Sequence, residues 1–238
     1  MLSLFNKNPA FYKAYPIKLN RNIIENGLAI STAHKYVYAR VYKSANSTVI
    51  SSLYNAENNN RIIGLDDIQK IKDNYFTKPG ELSKIDLENL DSYYKFTIVR
   101  NPYRRILSAY LDKIKNRNGS KRKIVTKLLN KNPNDQITFN EFLGFLENGG
   151  LRQNGHWAPQ TDFLVFPIDQ YNYIGKLENL QKDLTHILTT TYGKDCPIVS
   201  VNEHKTDSRN KTKELTASDK LRIYNLYMDD FKNFNYDF

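Results

Sequence analysis

The chain is almost free of cysteine and contains no long apolar run. A single cysteine, Cys196, stands among 238 residues, which excludes an internal disulfide and fits a reducing compartment or a bacterial enzyme. No stretch approaches the roughly 18 apolar residues of a membrane span. The opening residues, MLSLFNK, are too short and too polar for a secretory signal. We therefore expect no integral membrane segment and a cytoplasmic location.

Acidic residues are also scarce relative to basic ones. The chain has 35 Lys and Arg residues against 25 Asp and Glu residues, a formal net charge of +10, and its pI is near 9.4. This excess predicts a polyanionic partner, and three classes compete: nucleic acid, an anionic membrane surface, or a nucleotide co-substrate together with an acidic glycan. Charge alone does not choose among them.

The stretch from Phe96 to Tyr110 predicts an apolar strand, a basic turn and a helix. Arg100 closes the strand, Pro102 sets a helix-compatible φ, and Ser108 follows on the helix. A guanidinium, a helix N-terminus and a hydroxyl can then converge on one anion. The pattern therefore predicts a phosphate site.

A second strand–loop–helix pattern lies nearer the amino terminus. Apolar and polar residues alternate over Lys35–Tyr42, and the loop Lys43–Thr48 leads into a helix that we expect to run to about Glu57. Backbone N–H groups and the helix dipole favour a phosphate there, and Lys43 supplies a mobile point charge. The loop contains no glycine, whereas a Walker-type nucleotide loop requires it, so an ATP- or GTP-binding kinase is disfavoured.

Together, the two motifs resemble those of the carbohydrate sulfotransferases, the Golgi-type enzymes that modify chondroitin, dermatan and heparan chains. The resemblance implies that Arg100 and Ser108 hold the 3'-phosphate of 3'-phosphoadenosine 5'-phosphosulfate (PAPS), the co-substrate. For the 5'-phosphosulfate group it implies a loop made of Lys43, Ser44, Asn46, Ser47 and Thr48. Tyr42 stands where the family usually has proline, and Asn46 where a small residue is typical; neither change removes a donor.

Two downstream segments extend the resemblance. His156-Trp-Ala-Pro-Gln160 and the Gly-Lys-x-Glu element ending at Glu178 have the order and spacing of elements in the same family. The resemblance covers His34 to Phe238. It implies a P-loop-NTPase-like sulfotransferase fold and a carbohydrate or polysaccharide acceptor, for which an acidic chain would suit the positive charge.

Sulfuryl transfer needs an in-line arrangement, a cation at the leaving phosphate and a base for the acceptor proton. It requires no metal. Lys43 is the predicted leaving-group stabiliser and His156 the predicted base, although a histidine beside Trp157 also fits a packed structural role. The other candidates for the base are His34, His186, His204, Glu57, Glu147 and Glu178. Lys205, next to His204, is a further candidate for a phosphate contact.

Short apolar runs separated by long helices predict an α/β fold, with a parallel sheet covered on both faces in three layers. We expect a single domain over residues 1–238, with an amino-terminal extension over 1–33 and a family-like core over 34–238. Helices are predicted at Asp66–Phe76, from the Thr138–Glu141 capping box to Gly149-Gly150, at Leu177–Tyr192 with Gly193 as its stop, and after the Thr216–Asp219 cap.

The densest basic run, from Lys113 to Lys131, keeps other functions open. Its charges include Lys115, Arg117, Lys121, Arg122, Lys123 and Lys127. The run fits either a rim that attracts an anionic polysaccharide or a solvated loop followed by a helix with Ile124, Leu128 and Leu129 facing inward. The usual nucleic-acid motifs are missing, so we expect no nucleic-acid partner. The alternatives to a sulfotransferase are a nucleotide-dependent phosphotransferase and a non-enzymatic polyanion binder.

Overall fold

The computed structural model describes residues 10–58, 65–115, 121–132, 134–193, 195–201 and 208–238. Its strands are β1 (Leu28–Ser31), β2 (Tyr36–Ala39), β3 (Tyr94–Val99) and β4 (Tyr173–Lys176). Its helices are α1 (Ala10–Ala14), α2 (Arg21–Gly27), α3 (Asn46–Glu57), α4 (Leu65–Asn74), α5 (Lys84–Asn89), α6 (Pro102–Ala109), α7 (Arg122–Leu128), α8 (Phe139–Phe145), α9 (Leu180–Tyr192), α10 (Ser208–Lys211), α11 (Ala217–Leu226) and α12 (Met228–Asn233). Single π turns extend α6 over Tyr110–Ile114 and α8 over Leu146–Gly150.

The described residues form two compact units, drawn from Met1–Val99 with Asp162–Glu203 and from Arg100–Thr161 with His204–Phe238. The first unit holds the sheet, and the second is helical. The single domain expected over residues 1–238 stays a prediction.

The sheet has the strand order β1-β2-β3-β4. Strands β2, β3 and β4 are parallel, with Ala39 opposite Thr97 and Val99 opposite Lys176, whereas β1 runs antiparallel to β2. The α/β fold class with a mostly parallel sheet flanked by helices is therefore confirmed. The antiparallel edge strand lies within residues 1–33, the stretch expected to be an extension.

Successive side chains of a strand point to opposite faces of the sheet. Nearly every residue of β2 and β3 is buried, so both faces of these central strands are covered. On one face, Tyr38 stacks on Phe96 with ring centroids 5.1 Å apart. Apolar side chains of α3 and α9 join the same core, among them Val49, Ile50, Leu53, Leu184, Ile187 and Leu188. On the other face, Val37 and Thr97 are fully buried. This burial agrees with the expected three-layer arrangement.

The Gly-Lys-x-Glu element belongs to this packing. A Cβ on Gly175 would lie 2.5 Å from Ile98 Cδ1 and 3.0 Å from Asp183 Cβ, so glycine lets α9 pack closely on β4 without displacing either side chain. Asp183 Oδ2 then accepts a hydrogen bond from the Lys176 backbone N–H at 2.6 Å. The element therefore fixes β4 against α9.

The core of the second unit combines aromatic and aliphatic side chains. The only tryptophan of the chain, Trp157, is fully buried, and it packs edge-on against Phe142 and Phe145 with centroids 5.6 and 6.0 Å away. Tyr103 on α6 meets Phe231 on α12 in the same way, at 4.9 Å. These contacts hold α6, α8 and α12 around the residues that precede Gln160.

Local signals in the sequence are confirmed at several helix ends. Capping boxes form at Thr138 with Glu141 and at Thr216 with Asp219, and Gly193 ends α9 with a left-handed φ of 66°. Strand β2 is shorter than predicted, and α3 begins at Asn46. Asn46 and the two hydroxyl residues that follow therefore lie in the first turn of α3, not in a loop.

The basic run is only partly as predicted. Leu128 is 53% exposed rather than inward-facing, and Val125 takes the buried position instead. Arg122 is buried, and its guanidinium donates to the backbone carbonyls of Ile114 and Asp135. Arg122 is therefore a structural residue rather than a solvated or rim charge. Arg117 lies outside the described residues.

Candidate functional site

The first candidate segment is the Lys43 loop, residues Arg40–Ala45 between β2 and α3. Lys43 and Ala45 adopt φ values of 69° and 56°, the left-handed region in which residues other than glycine are strained by about 1–3 kcal/mol each. Ala45 is the N-cap residue of α3 and carries no polar side chain to cap the helix. The first-turn N–H groups of α3 therefore receive no acceptor from the N-cap side chain, as suits an anion-binding turn.

The residues predicted to bind the 5'-phosphosulfate group extend from this loop into the first turn of α3, and they differ in their surroundings. Ser44 is fully buried, and Thr48 is 8% exposed. Thr48 Oγ1 accepts a hydrogen bond from the Val201 backbone N–H at 3.4 Å, which ties the first turn of α3 to a distant part of the chain. Asn46 Oδ1 accepts a hydrogen bond from Arg40 Nε at 3.3 Å.

Two cationic side chains that the sequence motif did not include also make contacts here: Arg40, within the loop, and Lys72, on α4. Arg40 is 5% exposed, its burial lowers the pKa of the guanidinium, and its Nη1 donates to the Lys72 carbonyl at 2.8 Å. Lys72 Nζ in turn donates to Ser47 Oγ at 2.7 Å. Lys72 sits on α4, 25 residues from Ser47, so no local pattern could have indicated it.

The second candidate segment is the Arg100 turn, Arg100 and Asn101, which precedes α6. Asn101 caps α6, since its Oδ1 accepts the Arg104 N–H at 3.2 Å, and Pro102 takes the first helical position. Ser108 is buried in the second turn of α6, while Arg100 is half-buried. The predicted strand–turn–helix geometry is therefore present, with the helix properly capped.

Gln160 holds the backbone of Arg100 from both sides. Its Oε1 accepts the Arg100 N–H at 2.9 Å, and its Nε2 donates to the Arg100 carbonyl at 2.8 Å. Gln160 itself is fully buried, and its backbone N–H donates to Asp230 Oδ2 at 2.8 Å. The glutamine of the His-Trp-x-Pro-Gln pattern is thus a clamp on the Arg100 turn.

Asp230 on α12 supports this clamp. Besides the Gln160 N–H, its carboxylate accepts the Thr161 N–H at 2.9 Å and the Thr161 hydroxyl at 3.0 Å. Burial raises the pKa of Asp230, whereas the Arg105 guanidinium and these donors act in the opposite direction. Three donors on one carboxylate match its ionised, acceptor-only form.

His156 lies in the His156 segment, Asn154–Gln160. Asn154 Oδ1 accepts the His156 backbone N–H at 3.0 Å and also lies 2.8 Å from His156 Nδ1. Because the backbone N–H can only donate, the shared Asn154 atom is the oxygen, and Nδ1 must carry hydrogen. In the neutral ring, Nε2 then has the lone pair that a general base needs.

Arg105 fixes this segment to α6. Its guanidinium is 1% exposed and donates to the carbonyls of Ala158 at 2.8 Å and Gly155 at 3.2 Å. These two carbonyls flank His156 in sequence. Trp157 completes the attachment, since its Nε1 donates to the Gly150 carbonyl at 3.0 Å and its carbonyl accepts the Tyr227 hydroxyl at 2.6 Å.

The rival carboxylates are engaged elsewhere. Glu57 lies at the last residue of α3 and accepts hydrogen bonds from Tyr36 at 2.7 Å and Tyr192 at 3.1 Å. Glu147 forms a two-pronged ion pair with Arg222, with both N–O distances 2.6 Å. Glu178 lies in the short turn Leu177–Asn179 before α9.

Two of the remaining histidines lie beside tyrosine rings. The His34 ring lies 4.9 Å from the Tyr192 ring, in the turn between β1 and β2. His186 is exposed on α9 beside Tyr173, with ring centroids 4.5 Å apart. His204 and Lys205 lie outside the described residues.

The described part of the chain holds no cluster of three or more His, Cys, Asp or Glu side chains able to bind a metal ion. Within the same residues, no helix is both long enough and apolar enough to span a membrane.

The chain matches a known protein family over most of its length. Residues 26–237 match the model of the sulfotransferase family. The chain belongs to the sulfotransferase family. The match includes the Lys43 loop, the Arg100 turn and the His156 segment.

The names of individual relatives are more specific than the family name. Carbohydrate sulfotransferase 14 of Danio rerio is 28% identical, over 71% of this chain and 49% of the relative. Carbohydrate sulfotransferase 9 of Homo sapiens is 25% identical, over 66% and 41% respectively. Carbohydrate sulfotransferase 10 of Xenopus laevis is 29% identical, over 63% and 49%. The chain thus spans about half the length of these relatives, or less. No solved structure matches it at a significant level.

These relatives correct one expectation. The cytoplasmic location expected from the sequence is wrong, because the chain matches carbohydrate sulfotransferases, the Golgi-type class that its motifs resemble.

Proposed function

We propose that this protein transfers a sulfuryl group from PAPS to a hydroxyl of a carbohydrate acceptor. The observation that carries the proposal is the Lys43 loop, which lies within the family match. It combines two strained left-handed residues with an N-cap residue, Ala45, whose side chain cannot cap α3. Backbone strain of this kind persists where a site uses it. The relatives named as carbohydrate sulfotransferases support the acceptor class.

In the proposed reaction, the acceptor hydroxyl attacks the sulfur of PAPS in line with the bridging oxygen of the 5'-phosphate. The new O–S bond forms as the old S–O bond breaks, and 3',5'-phosphoadenosine leaves. His156 Nε2 takes the acceptor proton, and Lys43 offsets the charge that grows on the leaving oxygen. Ser44, Asn46, Ser47 and Thr48 complete the proposed 5'-phosphosulfate loop. Arg100 and Ser108 are the proposed 3'-phosphate ligands.

The order of elements supports these roles. Strand β2 leads directly into the Lys43 loop, and the residue after β3 is Arg100. In open α/β sheets, ligands bind beyond the carboxyl ends of the strands. The tautomer that Asn154 imposes on His156 leaves Nε2 in the form that accepts a proton.

The donor half is tested by thermal shift with three nucleotides: 3',5'-phosphoadenosine, 5'-AMP and ATP with magnesium. We expect the largest stabilisation from 3',5'-phosphoadenosine, because only this nucleotide offers a 3'-phosphate to Arg100. Arg100→Ala should erase most of the difference from 5'-AMP. Losing one charge-assisted contact costs on the order of tenfold to a hundredfold in affinity.

The outcomes separate the proposed function from its rivals. Preferential stabilisation by ATP and magnesium would point to a phosphotransferase. Polyanion binding that weakens steeply as the salt concentration rises, and that is unchanged in Lys43→Ala and Arg100→Ala, would point to a non-enzymatic binder. The acceptor half is tested by incubating the enzyme with radiolabelled PAPS and desulfated chondroitin, dermatan or heparan chains, and label in the polysaccharide is the expected result.

A further inference from the structure

Lys72 lies outside every motif that the resemblance covers, yet it contacts the proposed 5'-phosphosulfate loop. Its Nζ donates to the hydroxyl of Ser47 at 2.7 Å. Ser47 is in the first turn of α3, where the proposed anion would bind. The Lys72 side chain is half-buried, whereas Lys70 on the same helix is 78% exposed.

A buried contact holds Lys72 in this place. Arg40 Nη1 donates to the Lys72 carbonyl at 2.8 Å, and Arg40 Nε donates to Asn46 Oδ1 at 3.3 Å. One guanidinium thus joins the last turn of α4 to the first turn of α3. These hydrogen bonds fix the backbone of residue 72 beside the start of α3. The Lys72 side chain therefore starts from a fixed point within reach of Ser47.

Basic side chains lie on and beside the start of α3. Arg40, Lys43 and Lys72 supply three cations on or beside the loop, and the start of α3 adds the positive end of a helix dipole. Asp73, also on α4, interacts with Arg40 and accepts a hydrogen bond from Gln69 at 2.9 Å. Cations gathered at a helix start repel one another and the dipole, so an anion there lowers the free energy.

We propose that Lys72 is a second cationic ligand of the 5'-phosphosulfate group, delivered by α4 on the Ser47 side of the loop. The inference rests on the proposed function and adds a donor-binding residue to it. Ser47 accepts from the ammonium and keeps its own O–H as a donor, so both groups can contact the same phosphate oxygen. Lys43 and Lys72 then approach the group from different elements.

The test compares two nucleotides that differ only at the 5' position, 3',5'-phosphoadenosine and adenosine 3'-monophosphate, by isothermal titration calorimetry. Lys72→Met keeps the apolar stem and removes the charge. We expect it to weaken 3',5'-phosphoadenosine about tenfold to a hundredfold and to leave the 3'-monophosphate unchanged. Lys70→Met, on the same helix but ion-paired with Asp67 at 3.7 Å, is the matched control and should change neither affinity.

The wild-type protein distinguishes the two levels of failure. If it binds both nucleotides equally, the proposed donor site itself is wrong. If it prefers 3',5'-phosphoadenosine and Lys72→Met keeps that preference, the role of Lys72 is wrong. An equal loss for both nucleotides would also overturn it. Lys72→Arg is the control for misfolding, because it restores the positive charge. We expect it to recover most of the preference for 3',5'-phosphoadenosine and to leave the melting temperature unchanged.

Discussion

Replacing Gln160 by methionine tests whether the His156 segment positions Arg100. Methionine has a similar length and volume, so no cavity forms, but both hydrogen bonds to the Arg100 backbone are lost. Two net hydrogen bonds contribute about 1–3 kcal/mol to the free energy of unfolding. We expect urea unfolding to show a loss of that size, with an unchanged m-value.

A purely structural residue would give the same loss of stability, so the decisive measurement is nucleotide selectivity. If Gln160 orients the Arg100 turn, Gln160→Met should reduce the preference for 3',5'-phosphoadenosine over 5'-AMP, even where both proteins are fully folded. Gln160→Glu should do so more strongly, because a carboxylate oxygen would then face the Arg100 carbonyl. Gln153→Met, at an exposed position nearby, is the control. Full selectivity in a destabilised Gln160→Met protein would refute the positioning role.

Three further predictions concern single side chains. Lys43→Ala should depress turnover more than it weakens 3',5'-phosphoadenosine binding, because charge on the leaving oxygen grows only as the S–O bond breaks; a raised donor KM at normal kcat would make Lys43 a binding residue only. His156→Ala should reduce turnover about 10²- to 10⁴-fold while melting temperature and nucleotide binding stay near wild type, and a stable mutant at wild-type turnover would exclude His156 as the base. The Lys131 ammonium and the Thr138 donors lower the pKa of Glu141 from 4.5 to about 2. This carboxylate therefore stabilises the fold above about pH 4.5, and its contribution disappears as the pH falls through 2. The melting-temperature gap between wild type and Glu141→Gln should close over that range, and a constant gap would contradict the assignment.

Features that depend on neighbouring residues could be predicted from the sequence. The capping boxes at Thr138 and Thr216 need only a hydroxyl and an acid three residues apart, and Gly193 ends α9 because glycine adopts a left-handed φ without strain. Strands β2 and β3, with their loops, follow from alternation and from apolar runs. The family motifs then assigned chemistry to those loops.

Features that depend on distant residues could not be predicted from the sequence. The pairing of Gln160 with Arg100 spans 60 residues, and the contact of Lys72 with Ser47 spans 25. The left-handed conformations of Lys43 and Ala45 had no glycine to signal them. The sequence pattern predicts that Leu128 faces inward, and this prediction is wrong. Helix α7 ends at Leu128, and the side chain there projects into solvent.

The burial of Trp157 gives this protein an optical probe of its own. It is the one indole in a chain with 17 tyrosines, so excitation at the red edge of the aromatic absorption selects it. The indole is fully buried and directly follows His156 in sequence, with Gln160 three residues further on. Its emission should therefore be blue in the native protein, move to the red on unfolding, and change in intensity whenever the His156 segment shifts. Stopped-flow fluorescence of the unlabelled wild-type protein can thus test whether adding 3',5'-phosphoadenosine or a carbohydrate acceptor shifts this segment.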